Sequence, residues 1–316
     1  MIWLNPLILM KNMSLILFVV LLFAGFLEAA DGQPVPTFKG KAAFAYLVKQ
    51  TDFGPRNPNS EGHEACLKFL EETLRRSAHQ VRLQHFTHRG YGEELWLTNV
   101  IASFRPELQA RVLLCAHWDT RPRAERDANG LRRNQPILGA NDGASGVAVL
   151  LHLADLMKAS PPPLGVDIVL FDGEDYGVEG DLSNYLLGSR IFVSEKPSDY
   201  RPRFGILLDM VGDKVLELPK EQNSIHLAPG IVELVWNKAR ELGIKPFASK
   251  VGEAIFDDHL PLNEAGIKTI DIIDFNYPDE TNRFWHTHND VPENCSAESL
   301  EAVGTVLTHI VYTQRP

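Results

Sequence analysis

Seven side chains able to bind a metal or carry a proton fall in five short segments of the 316-residue chain. His117 and Asp119 close one apolar run, and Asp142 stands in the glycine-rich turn GANDGASG at 139–146. Glu174 and Asp175 follow a second apolar run, Asp209 ends a third, and His286 lies in FWHT at 284–287. Singly, each has an ordinary role. A histidine after a strand is commonly a hydrogen-bonded edge or loop residue, and Glu174-Asp175 alone reads as a solvated acidic turn. A carboxylate such as Asp142 or Asp209 can simply cap a helix by accepting orphan N–H groups. Together they form a set of imidazole and carboxylate donors without a thiolate, which suits Zn²⁺ in an open catalytic site. Residues 117 and 119 are two apart and project to one face of an extended backbone, so Asp119 is placed to orient His117 behind a metal. Neighbouring Glu174 and Asp175 cannot both point the same way from a strand end. One binds metal while the other faces substrate as a base, and crowding raises the pKa of a carboxyl, which suits a proton shuttle.

Groups so distant in sequence need a fold that brings them together. Val81, Leu83 and His85 alternate with polar residues as in a strand, and Leu95 to Phe104, Arg111 to His117, Val166 to Phe171, Phe204 to Met210 and Lys268 to Ile273 read as further strands. Helices are expected at Lys41 to Lys49, from the Asn57-Pro58-Asn59-Ser60 turn to about Arg76, and at Gly146 to Lys158, Pro229 to Leu242 and Ala297 to Tyr312. Strands alternating with helices predict an α/β fold, a single globular domain whose central, mostly parallel mixed sheet is flanked by helices. In such sheets function gathers where strands end, and four of the candidate clusters follow predicted strands.

The remainder bounds the setting. The net charge of −10, from 31 Lys+Arg against 41 Asp+Glu, excludes nucleic acid as the main partner. Met13 to Leu27 is an uncharged apolar run behind Lys11, followed by Glu28-Ala29-Ala30, which is the order of a secretory signal. The run is shorter than the ~20 residues that span a bilayer, so a cleaved leader over 1–30 is expected, with Met10 a better initiator than Met1, and no stable anchor after cleavage. Residues 31–37 then form a tether and 38–316 the catalytic domain of an exported, periplasmic or secreted, monomeric protein. Three cysteines, Cys66, Cys115 and Cys295, do not make a disulfide scaffold, and Cys115 reads as a buried small hydrophobe. Arg121, Arg123, Arg126, Arg132 and Arg133 form a basic patch in the loop 121–135, read as a solvated face or lid. His63, His79, His85 and His88 are expected at the surface, and His288 and Asp290 either support His286 or serve the loop.

Five segments in order resemble the zinc aminopeptidase superfamily: CAHWDT at 115–120, GANDGASGV at 139–147, FDGEDYG at 171–177, LLDMVGD at 207–213 and WHTHND at 285–290. Phe256-Asp257-Asp258-His259-Leu260-Pro261 and Trp285 directly before His286 are similar to the glutaminyl cyclase branch, in its bacterial form. The resemblance implies Asp142, Asp175 and His286 as zinc ligands and Glu174 as general acid/base. It implies Asp209 and Asp257 in a hydrogen-bond network around that base, and Trp285 at the substrate. The implied activity closes N-terminal glutaminyl residues of peptides or proteins to pyroglutamate with loss of ammonia, using one zinc. The alternative is a two-zinc aminopeptidase in which His117 and Asp209 hold a second ion and Asp142 bridges. Asp175 stands where the superfamily commonly has glutamate, and Tyr277 or Phe284 is expected to line the pocket.

Overall fold

The computed structural model describes residues 34–315; the expected leader and the first three residues of the tether lie outside the described residues. The frame is a six-stranded sheet in the order β1-β2-β4-β3-β5-β8. Its strands are β1 (Gln80–Gly90), β2 (Glu93–Phe104), β3 (Arg111–His117), β4 (Gly165–Phe171), β5 (Gly205–Asp209) and β8 (Thr269–Ile273). The β1–β2 and β2–β4 pairs are antiparallel, whereas β4–β3, β3–β5 and β5–β8 are parallel. The chemistry of each strand fits its place. β1 lies at the edge and alternates in exposure, while β4 is buried at every residue, as a central strand covered on both faces must be. A two-stranded parallel ribbon, β6 (Leu218–Lys220) and β7 (Phe247–Val251), stands apart from the main sheet.

Helices cover both faces of the sheet. On one side lie α1 (Gly40–Thr51), α2 (Glu61–Ser77), α3 (Ala144–Ala159) and α8 (Ala297–Thr313). α2 starts at Ser60, whose hydroxyl accepts the His63 N–H at 3.1 Å, and buries Cys66, Leu70 and Leu74 on one stripe. α3 is buried almost all round because it is enclosed by α1, α8 and the sheet. Gly146 permits this: a Cβ there would sit 2.3 Å from the Leu208 carbonyl oxygen of β5. On the opposite face, Phe192 of α4 (Leu187–Glu195) and Leu262 of α7 (His259–Glu264) pack with Leu113, Cys115, Val169, Phe171 and Leu207 of the strands. Fully burying a residue of this kind contributes roughly 1.5–3 kcal/mol.

The main elements stand where the sequence predicts them, within a few residues. The short ones, α4, α5 (Gln222–Leu227), α7, β6 and β7, were not evident. Their five to nine residues, or fewer, hold too little periodicity, and their ends are fixed by distant groups. Glu221 caps α5 by accepting the N–H groups of Asn223 and Ser224. α6 (Pro229–Glu241) completes the helices described here. Among the described residues, no helix is long and apolar enough to cross a membrane.

Candidate metal centre

Parallel register places four strand ends side by side. His117 of β3 pairs with Phe171 of β4, Cys115 with Leu207 of β5, and Asp209 with Ile273 of β8. The loops leaving these ends carry the candidate residues, as expected for an open parallel sheet. Asp142 enters from the turn before α3. Gly143 in that turn has φ +95°, and its missing side chain leaves room for the Asp119 carbonyl and the His117 ring.

Asp142, Asp175 and His286, all buried, each offer a donor atom within 4.8 Å of the others. His286 Nε2 lies 3.6 Å from Asp142 Oδ2 and 3.5 Å from Asp175 Oδ1. Asp175 Oδ2 is buried and has no hydrogen-bond partner. Burial, reinforced by the Asp175 charge, pushes the Asp142 carboxyl up to about 7. Two buried carboxylates, an imidazole and an orphaned oxygen form a donor set that fits a dication, which would offset the repulsion and fill the missing contact. His286 has φ +56°, an uncommon backbone conformation for a non-glycine residue, held by the Arg126 N–H donating to its carbonyl at 3.3 Å.

Asp142 also belongs to a second group. His117 Nε2 lies 3.2 Å from Asp142 Oδ1 and 3.2 Å from Asp209 Oδ1. Asp119 stands 3.6 Å from His117 Nδ1, too far for a hydrogen bond. Its two oxygens instead accept the N–H groups of Glu174 at 3.1 Å and Asp175 at 3.2 Å, which fixes the turn that separates the two side chains. Glu174 lines a cavity of about 270 Å³ with Asp209, Asp257, Phe275 and Trp285, and with the three candidate ligands. Burial first, and then the carboxylates of Asp175, Asp257 and Asp258, push its pKa well up against the opposing pull of His117. Trp285 stacks on the His286 ring at 3.7 Å and meets Phe275 edge-on at 4.9 Å.

Several expectations are corrected. Arg121 is not part of a solvated face: it is 0% exposed, with Nη1 2.5 Å from Asp175 Oδ1, Nε 2.8 Å from Glu125 and Nη2 2.8 Å from the Tyr185 hydroxyl. Burial opposes it, but Arg121 and then His286 hold the Asp175 carboxyl below the usual carboxylate range. Arg126 does lie on the rim, 4.5 Å above the Trp285 ring. His63 is not at the surface; it is buried and bonded to Asp172 at 2.9 Å. Asp290 supports Asp142 rather than His286, accepting the N–H groups of Asn141 at 2.7 Å and Asp142 at 3.1 Å. His288 bonds Asp127 at 2.7 Å. Tyr277 is fully buried and donates to Asp290 at 3.1 Å, and neither it nor Phe284 lines the cavity; the aromatic residues that do are Tyr185, Phe256, Phe275 and Trp285. The three cysteines are buried and unpaired. Arg121 and Tyr185 left no local signal, since Arg121 meets Asp175 across 54 residues and Tyr185 across 64.

The single α/β domain, with its mixed sheet flanked by helices, has the fold of the zinc-aminopeptidase-like structures. The chain matches peptidase family M28 over residues 99–311 and belongs to that family. It is 41% identical to a glutaminyl cyclase of Bacteroides thetaiotaomicron, solved bound to N-acetylhistamine, with a TM-score of 0.85 over 89% of this chain and 100% of that one. It is 24% identical to the glutaminyl-peptide cyclotransferase of Bos taurus, over 82% of this chain and 79% of the relative. It is 26% identical to the aminopeptidase YwaD of Bacillus subtilis over 86% of this chain, but it spans only 56% of that relative's length.

Proposed function

We propose that this chain is a zinc-dependent glutaminyl-peptide cyclotransferase. The observation that carries the reading is an unliganded glutamate, Glu174, beside the Asp142–Asp175–His286 group in a small pocket walled by Trp285 and Phe275. The 41% identity to a glutaminyl cyclase across the whole of that chain supports it.

In this reading the pocket takes the N-terminal glutamine of a peptide or protein. A zinc ion held by Asp142, Asp175 and His286 would supply Lewis-acid polarisation of the γ-carboxamide carbonyl. Glu174 accepts a proton from the α-amine as the nitrogen forms a bond to the carbonyl carbon of the side-chain carboxamide. Glu174 then returns that proton to the departing nitrogen, the old C–N bond breaks, and ammonia leaves. Amine and carbonyl belong to one residue, so the pocket needs only to hold them in the closing geometry, and no external nucleophile is ordered. Asp209 and Asp257 line the same pocket and set the charge around Glu174. Trp285 and Phe275 exclude water and pack the glutaminyl methylenes. Arg121 and Asp119 hold Asp175 and the Glu174 turn from behind.

The His117–Asp142–Asp209 group is the observation that favours a second reading, a two-zinc aminopeptidase. One experiment separates them. Purified protein is offered a glutamine-initiated dipeptide and a leucine-initiated reporter, with zinc counted per chain. Cyclised product with one zinc is the expected outcome. Released leucine with two zinc ions overturns it.

We also infer that residues 1–30 are removed on export and that 38–316 acts as a monomer outside the cytoplasm. The leader-like order of Lys11, the apolar run and Ala29-Ala30 supports the first, and the origin of the whole candidate site in one chain supports the second. N-terminal sequencing and the sedimentation of the mature protein test both.

A further inference from the structure

The acidic wall of the pocket continues inward beyond Asp257. Asp271 of β8 and His259 of α7 are 0% exposed and do not line the cavity. An oxygen of Asp257, an oxygen of Asp271 and a ring nitrogen of His259 nevertheless lie within 4.8 Å of one another. Both oxygens of Asp271, Oδ2 of Asp257 and both ring nitrogens of His259 have no hydrogen-bond partner. The other oxygen of Asp257 accepts the Asp258 N–H at 2.5 Å. Buried acceptors facing acceptors are costly unless one of them carries a proton.

We propose that Asp271 is a positioning residue for the acid/base chain: it donates a hydrogen bond to Asp257, which thereby faces Asp209 and Glu174 as an oriented carboxylate. The consequence for catalysis rests on the cyclotransferase reading; the hydrogen bond itself does not.

The surroundings of Asp271 support the assignment. The titratable groups facing it are Asp257 from the loop before α7, His259 from α7, Asp209 from the end of β5, Glu221 from the cap of α5 and Cys115 from β3. Only His259 among them is basic, and its Nε2 already faces Glu221 Oε2 at 3.4 Å. Burial, and then the charges of Asp257, Asp209 and Glu221, push the Asp271 carboxyl well above the usual range. Burial and Asp209 raise Asp257 only to about 6, with His259 pulling the other way. Of the two carboxyls, Asp257 therefore ionises first and Asp271 keeps the proton.

The substitutions Asp271→Asn and Asp271→Ala test this. Asparagine keeps a donor of the same shape. D271N is expected to hold kcat/KM within about threefold of the parent and to leave the acidic limb of its pH profile in place. Alanine removes the donor. D271A is expected to move that limb up by about one pH unit, a roughly tenfold loss near pH 6, with zinc content unchanged. A D271N limb moved to lower pH, a D271N as impaired as D271A, or an unmoved D271A profile overturns the proposal. A second readout needs no turnover and no alanine variant. The infrared difference between parent and D271N at neutral pH is expected to contain the C=O stretch of an un-ionised carboxylic acid, and its absence also overturns the proposal. Failure of the cyclotransferase reading shows separately, as a parent that forms no pyroglutamate while the infrared band is present.

Discussion

Two buried groups in this molecule share one make-up, a pair of aspartates and a histidine, and differ in what surrounds them. Asp142, Asp175 and His286 open onto the cavity; Arg121 grips Asp175 from behind, and Asp290 accepts the Asp142 N–H. Asp257, His259 and Asp271 are closed in by β8 and α7, where only Asp257 reaches the cavity and Glu221 stands at the back. The first group has an entrance for an ion and a fixed cation to balance the surplus charge. The second has neither, so protons are the means left to neutralise it. Composition alone thus does not distinguish a metal centre from a proton-holding cluster; access and the nearest fixed charge do.

The contrast is broken most directly at His286. H286A is expected to lose zinc and to lower kcat/KM by on the order of 10⁴, whereas H259N keeps its zinc; metal analysis of both proteins checks this. Zinc lost from H259N and kept by H286A would reverse the assignment of the two groups. Next in size, E174Q is expected to cost on the order of 10²–10⁴ in rate with zinc retained, read from pyroglutamate formation and metal content together. A smaller effect follows from the fixed cation. R121M leaves Asp175 without its guanidinium and is expected to weaken zinc binding about 10–100-fold in a chelator competition, with turnover recovering at saturating zinc.

The smallest effect lies at the back of the closed group. Burial would raise the Glu221 carboxyl, but His259, the Ser224 side chain and the Ile255 N–H hold it at about 2. A depressed carboxyl stabilises the fold above its ordinary pKa and loses that contribution as pH falls through its folded value. The unfolding free energy of the parent is therefore expected to drop as pH falls from about 4.5 to about 2. E221Q starts about 2 kcal/mol lower at neutral pH and shows a flatter acid slope, measured by urea unfolding across that range.

Much of the frame is legible in the sequence because the apolar runs at 111–117, 166–171 and 268–273 are long enough to declare themselves. Asp142, Glu174, Asp175, Asp209 and His286 follow or flank such runs, so their convergence follows from the parallel topology. What was not legible depends on partners remote in sequence. Arg121 reads as one arginine among five in a polar loop until Asp175 and Glu125 enclose it. His63 sits on an amphipathic helix and is buried only because Asp172 receives it. Asp271 does carry a local signal: it is a lone acid inside the apolar strand Thr-Ile-Asp-Ile-Ile. Such a residue is expensive unless something in the interior needs it.

The parallel register also has a consequence for biosynthesis. Asp142 and Asp175 precede β8, whereas Trp285 and His286 follow it, near the end of the chain. No nascent fragment that stops before residue 286 contains all three ligands, however much of the sheet has already formed. The centre is therefore completed late in synthesis, and a prematurely terminated chain is expected to be catalytically silent rather than partly active.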